Sequence, residues 1–197
     1  NKLATQEDIR AATGTLLTDA RARKRIARFH AMWLGYETLP LAGPLAPSMQ
    51  LESNKLVERV IFDDKSAWQD LLRSDETYVN DELATHYGLT PPGSTTAKWV
   101  SYGTSGRRGL LSHGSFLSNG AKFNDTSPTL RGLAIRTRLF CQTIPDPPPN
   151  VATDDPIPKT AEATCKKDRY EVHAQAGCKD CHSQMDPVGF GLENYDQ

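Results

Sequence analysis

The sequence predicts a mainly α fold: two small helical subdomains joined and flanked by long proline-rich loops. Three observations carry this reading. Apolar residues recur at three- and four-residue steps through most of the first 90 positions, the helical period. Only Lys98–Tyr102 alternates like a strand, and it reads as a lone extended connector. Six prolines crowd into the fourteen residues from Pro145 to Pro158, a stretch with no core of its own.

The elements follow in order. Thr5 with Asp8 forms a capping box, and Ile9, Ala12 and Leu16 follow at helical spacing. Thr18-Asp19 opens a basic helix from Ala20 to about Leu34, with Ala22, Ile26, Phe29 and Trp33 as its apolar face. Its arginines and Lys24 read as a solvated face. After Pro40, Pro44 and Pro47, Ser48 is expected to cap a helix that turns Met49, Leu56, Val57, Val60 and Ile61 inward. A short helix is expected over Trp68–Leu72. Asn80 caps another, with Leu83, Ala84, His86 and Tyr87, closed by Gly88. Gly109–Ser118 suggests one more short helix. Ser127-Pro128 then starts a firmer one through Leu130, Leu133, Ala134, Thr137 and Phe140. A last helix is expected over about Ala161–His173, and Asp186–Gly191 is expected to turn the chain sharply.

The 197 residues suffice for one domain or two small ones with a sizeable core. Lys and Arg number 23 against 24 Asp and Glu, so bulk charge does not recruit nucleic acid or an anionic membrane. No apolar run approaches the roughly 18 residues of a transmembrane segment. Asn1–Thr5 leads straight into a polar helix pattern rather than a signal peptide. The start therefore reads as a processed terminus or an interior cut, and the end as a cut within a longer chain. There is no glycine-rich phosphate loop, GxSxG elbow or HExxH motif.

The four cysteines are more informative. Cys178-Lys179-Asp180-Cys181-His182 has the pattern of covalent c-type haem attachment. Two thiols three positions apart reach the two vinyl groups of one porphyrin, and the next histidine becomes an axial iron ligand. The expectation is one haem c per chain, with Cys178 and Cys181 as thioethers and His182 as proximal ligand. Its second ring nitrogen is expected to meet a backbone carbonyl at the Asp186-Pro187 turn. A redox dithiol would call for a βαβ context, and a zinc site would need two further ligands, for which Cys165 and His173 are available. Haem c is attached outside the bacterial cytoplasm, where disulfides persist. A Cys141–Cys165 disulfide would close the proline loop and contribute about 3 kcal/mol. Two separate buried thiols are the alternative.

Three sets of residues then carry a resemblance. The first is Phe29-x-x-x-Trp33-Leu34-Gly35, Met49-x-x-Glu52 and Thr77-x-x-Asn80-x-x-Leu83-Ala84-x-His86-Tyr87-Gly88. The second is Arg108-Gly109-Leu110-Leu111, Ser127-Pro128-x-x-Arg131-Gly132 and the proline run ending in Asn150. The third runs Cys178-x-x-Cys181-His182-x-x-Met185-Asp186-Pro187-x-Gly189-Phe190-x-Leu192-Glu193-Asn194-x-Asp196. Together they cover nearly the whole chain, which resembles the planctomycete-type cytochrome c proteins. In that family a helical domain of unknown function is paired with a C-terminal cytochrome domain. The resemblance implies a haem-bearing piece of a larger exported bacterial protein, periplasmic or extracellular. Residues 1–93 are expected to form the helical domain and 94–197 the cytochrome domain, with 94–126 as connector and short helix.

The expected function is single-electron transfer through haem c, to a redox partner protein or to further domains of the same polypeptide. A haem peroxidase or oxidase with an open distal site is the alternative, for which His113, Arg131 and His86 are the available groups. A haem-stapled structural module is a third reading. For the distal iron position the candidates are His86, Met49 and His113, ahead of His30, Met32 and His173. Met185, three residues past His182, reads as packing. Glu193 and Asp196 read as a capping or ion-paired carboxylate pair. Trp33, Trp68 and Trp99 read as core.

Overall fold

The computed structural model describes residues 3–121, 125–149, 151 and 165–195. It is mainly helical, with one two-stranded antiparallel sheet. The chain divides into two compact units, residues 1–116 and 117–197. No helix among the described residues is long and apolar enough to cross a membrane.

The first unit begins with α1 (Gln6–Leu17) and α2 (Ala20–Leu34). Thr5 and Asp8 form the reciprocal capping box, and Asp19 accepts the Arg21 N–H at the start of α2. The expected apolar face of α1 is not a core face: Ile9 is 51% and Leu16 67% exposed, and α1 buries nothing. In α2 the inward stripe is Ala27, His30, Ala31 and Leu34, and Phe29 is exposed. The stripe is displaced from the expected one because it uses the small residues that let α3 approach. His30 is fully engaged. The Trp68 indole N–H donates to its Nε2 at 3.0 Å, so its Nδ1 carries the hydrogen directed at the Ile26 carbonyl.

α3 (Leu45–Glu58) starts after Pro44, not at Ser48. Pro47 sits in its first turn, where a missing N–H leaves no intrahelical bond unmade. The Ser48 hydroxyl instead donates to the Pro44 carbonyl. α3 runs into a π-helical turn, Arg59–Asp63, and a 3-10 turn follows at Trp68–Leu72.

A strand that the sequence pattern did not announce comes next, β1 (Glu76–Val79), then α4 (Asp81–His86) capped by Asn80. β2 (Lys98–Ser101) pairs antiparallel with β1 in the register Glu76↔Ser101 and Val79↔Lys98. The Lys98 segment is thus half of a ribbon rather than a lone connector. Thr77 and Val79 point inward, onto a core of Met49, Leu83, Ala84, Tyr87, Leu89 and Tyr102. A 3-10 turn at Leu110–Ser112 packs against Trp68–Leu72. The first unit therefore takes in residues 94–116, which the sequence places with the second domain. α5 (Gly114–Leu117) completes the passage.

The second unit contains α6 (Pro128–Ala134), with Ser127 at its N-cap and a π-helical continuation Ile135–Leu139. Residues 141–149 have no regular structure. The expected helix start at Ala161 and the later prolines of the run lie outside the described residues. α7 (Lys166–Arg169) passes into a 3-10 turn, Tyr170–Ala174. α8 (Lys179–Phe190) follows, then a 3-10 turn at Glu193–Tyr195. The sharp turn expected at Asp186-Pro187 is absent, because α8 continues through Pro187.

α6 and α8 are the principal packed pair of this unit. They meet through glycine. A Cβ on Gly132 would stand 1.9 Å from the Met185 carbonyl oxygen, and one on Gly189 would stand 1.7 Å from that of Pro128.

Candidate functional site

Cys178 and Cys181 stand at the start of α8, both half-buried, and His182 follows one turn after Cys178. All four cysteines are free thiols. This corrects the expected Cys141–Cys165 bridge. Neither is buried: Cys141 is exposed beyond the helix that ends at Leu139, with φ at +53°, and Cys165 is exposed at the N-cap of α7.

His182 is held by a side chain rather than by the backbone carbonyl expected. Its Nδ1 lies 3.2 Å from both carboxylate oxygens of Asp186, one helical turn on. His173, from the 3-10 turn before α8, places its own Nδ1 2.7 Å from Asp186 Oδ2. The Thr129 hydroxyl of α6 donates to Oδ1 at 2.7 Å. Burial works to raise the Asp186 pKa, but the hydrogen bonds from His173, His182 and Thr129 outweigh it. They hold the carboxyl well below the usual carboxylate range. An ionised carboxylate only accepts, so each Nδ1 carries the hydrogen, and Nε2 is the ring nitrogen left to act as a ligand.

The two imidazoles are in contact, with centroids 3.7 Å apart and their planes tilted by 39°. Rings in contact leave no room for a third plane between them, so in this arrangement they do not face each other across a porphyrin. Beside them opens a cavity of about 570 Å³, walled by Tyr170, His173, His182, Asp186, Pro187 and Phe190, with Lys167 and Lys179 also on its lining. Tyr170 packs edge-on against both His173 and Phe190. Along α8 the stripe Lys179, His182, Ser183, Asp186, Pro187 and Phe190 faces this space. Neither Cys178 nor Cys181 is on the cavity lining; on α8 both lie beyond the His182 edge of the stripe. Met185 is buried, on the face toward α6. Asp186 and His173 were not among the leading sequence candidates. The signal for Asp186 was its four-residue step from His182.

The three distal candidates belong to the first unit. His86 is exposed on α4. Met49 is 2% exposed within the core around Tyr87. His113 is wholly buried in a polar cluster centred on Glu52, itself 0% exposed. Tyr87 donates to Glu52 Oε2 at 2.7 Å and Thr77 donates to Oε1. The Gly114 N–H donates to the Tyr87 hydroxyl, and the Arg107 guanidinium lies 4.2 Å from the centre of the Tyr87 ring. His113 Nδ1 pairs with Ser53 Oγ at 2.8 Å, and Nε2 lies 3.5 Å from Glu52. Burial pushes the Glu52 carboxyl up to about 8, against its hydrogen bonds and the charge of Arg107. Burial, then that same charge, pushes His113 down to about 3. Both are therefore neutral near pH 6, and their 3.5 Å approach is not an ion pair.

Arg131, a distal group in the enzyme reading, is 1% exposed and already committed. It pairs with Glu193 and donates from Nε to the Leu117 carbonyl at 2.9 Å. Glu193 also receives Lys166 at 2.8 Å, so its carboxylate is ion-paired as expected. Asp196 lies outside the described residues.

Comparison with known proteins gives two matches. Residues 1–89 match the family model PSD4, a protein of unknown function (DUF1592), and residues 107–197 match PSCyt3, a protein of unknown function (DUF1588). Both are domains found in planctomycete-type cytochrome c proteins. The PSD4 match holds the Glu52 cluster's Thr77 and Tyr87, and the PSCyt3 match holds Cys178, Cys181, His182 and the Asp186 carboxylate. No curated protein and no solved structure matches the chain.

Proposed function

We propose that residues 117–197 bind one haem c through Cys178 and Cys181, with His182 as proximal ligand, and that the chain is an electron-transfer module of an exported bacterial protein. The observation that carries this is His182 itself. Directly after a CxxC pair, its Nδ1–H is anchored on Asp186, which leaves Nε2 as the metal-binding nitrogen beside a 570 Å³ cavity. The donor set fits the group: two unbonded thiols, one oriented imidazole, and aromatic walls from Tyr170 and Phe190. Haem c, when bound, supplies a one-electron iron couple. The residues of this chain orient the ligand, hold a proton at Nδ1, and line the site with apolar rings. Lys167 and Lys179 supply positive charge suited to propionates. Redox partners are another protein or further domains of the same polypeptide. Arg131, bound to Glu193, does not serve as the free distal cation that a peroxidase would use.

The test is expression with c-type maturation and export, followed by haem staining of a denaturing gel and a pyridine haemochrome spectrum. The parent is expected to carry one covalent haem with two thioethers. Cys178→Ser or Cys181→Ser should shift the haemochrome band to the single-thioether position, and the double variant should lose covalent haem entirely. A parent chain that leaves maturation without covalent haem would sink the reading.

A second reading has one observation behind it. The donor atoms of His173, His182 and Asp186 lie within 4.8 Å of one another, a set that suits a transition-metal ion. Stoichiometric zinc in the purified chain, with no haem, would favour it.

A further inference from the structure

We propose that Asp186 is a positioning residue that sets the electron density His182 presents at Nε2, and that His173 and Thr129 restrain it by holding the same carboxylate. This rests on the haem reading above. The geometry has two parts. The His182 contacts to Asp186 are long, 3.2 Å to each oxygen, while those of His173 and Thr129 are both 2.7 Å. One carboxylate is thus shared among three donors, and His182 has the weakest hold on it.

The chemistry follows from that sharing. A carboxylate accepting Nδ1–H draws the proton away from the ring and makes the imidazole a more electron-rich ligand. A richer ligand favours the ferric over the ferrous state and lowers the midpoint potential. Donors that compete for the carboxylate weaken its pull on His182 and act in the opposite sense. The negative charge acts in the same direction as the hydrogen bond, since it also favours the more positive iron. Removing the carboxylate and removing its competitors therefore move the potential in opposite directions.

That opposition is the test. Spectroelectrochemical titration at fixed pH is expected to show Asp186→Asn raised above the parent and His173→Phe lowered below it. His173→Phe keeps a ring against Tyr170 and His182 but has no N–H, so a packing role alone would leave the potential in place. Thr129→Val should also fall, by less, and carries the test if Asp186→Asn fails to fold. Asp186→Glu should return part of the lost shift. A second readout uses the full chain made without haem. Its proton–nitrogen NMR spectrum should show His182 protonated at Nδ1, and Asp186→Asn should lose that tautomer preference. Potentials that do not move, or that all move the same way, overturn this assignment while the haem reading stands. Absence of covalent haem in the parent removes both.

Discussion

Alanine at position 132 or 189 is expected to destabilise residues 117–197 by about 3 kcal/mol or more, at or beyond the upper end of the usual range for overpacking. The added Cβ would meet carbonyl oxygens of the opposing helix at 1.9 Å and 1.7 Å, respectively. These atoms belong to backbone, so no rotamer change relieves the contact, and α6 must move off α8. The same substitution at Gly14 provides the contrast. It lies within α1, nothing stands within 4 Å of its would-be Cβ, and alanine there should stabilise by about 0.5–1 kcal/mol. Urea unfolding followed by far-ultraviolet circular dichroism measures both. All three tryptophans, Trp33, Trp68 and Trp99, lie in residues 1–116, so their fluorescence reports the first unit alone. A loss seen by dichroism at unchanged fluorescence midpoint assigns the damage to the second unit. Wild-type midpoints for both glycine variants would mean that α6 and α8 do not meet in this way.

The second large effect lies in the first unit and depends on pH. Glu52 is protonated more readily in the folded chain than the ordinary value of 4.5, with a pKa of about 8. Its contribution is complete below pH 4.5 and is lost as pH rises toward 8. His113 has the opposite sign: its pKa falls from 6.5 to about 3, so its contribution is complete above pH 6.5 and is lost as pH falls toward 3. Between pH 4.5 and 6.5 the two slopes cancel. This pair therefore adds no net slope across that window, while the lowered pKa values of His30 and His86 leave tryptophan-detected stability rising gently toward pH 6.5. Beyond the window it falls on both sides, and the Glu52 limb has a limiting slope of about 1.4 kcal/mol per pH unit. Glu52→Gln should flatten the alkaline limb, because an amide occupies the site without a charge to bury. Glu52→Ala, which strips partners from Thr77 and Tyr87, should cost about 3 kcal/mol below pH 4.5 and progressively less toward pH 8, because the variant has no carboxylate to bury. A stability that climbs between pH 6.5 and 8 would contradict the protonated Glu52.

What the sequence made legible was mostly local. Thr5, Asp19, Asn80 and Ser127 announce helix starts through contacts two or three residues away, and all four are where expected. Which face a helix buries is decided elsewhere. α1 has a plausible apolar stripe but buries none of it, and α2 turns its alanines inward because α3 packs there. β1 was missed because its four residues acquire strand character only by pairing with β2. Pro187 suggested a turn, yet the Gly189 contact with Pro128 lies on the helical continuation beyond it. At the candidate site, Cys178, Cys181 and His182 stand out by their spacing in the sequence, and the structure places them together at the start of α8. His173 does not stand out, because its approach depends on how the chain turns between Tyr170 and α8.

The clamp on His182 also bears on the order in which the second unit assembles. His173, His182 and Asp186 fall within fourteen consecutive positions, whereas Thr129 reaches Asp186 across 57 residues and Arg131 reaches Glu193 across 62. Loop closure costs less entropy for near contacts than for distant ones, so joining the imidazoles to the carboxylate costs less than bringing in α6 from far along the chain. Residues 165–195 therefore carry Cys178, Cys181, both rings and their shared acceptor within one stretch of chain. On the proposed haem reading, attachment at Cys178 and Cys181 need not wait for the contacts that α6 makes.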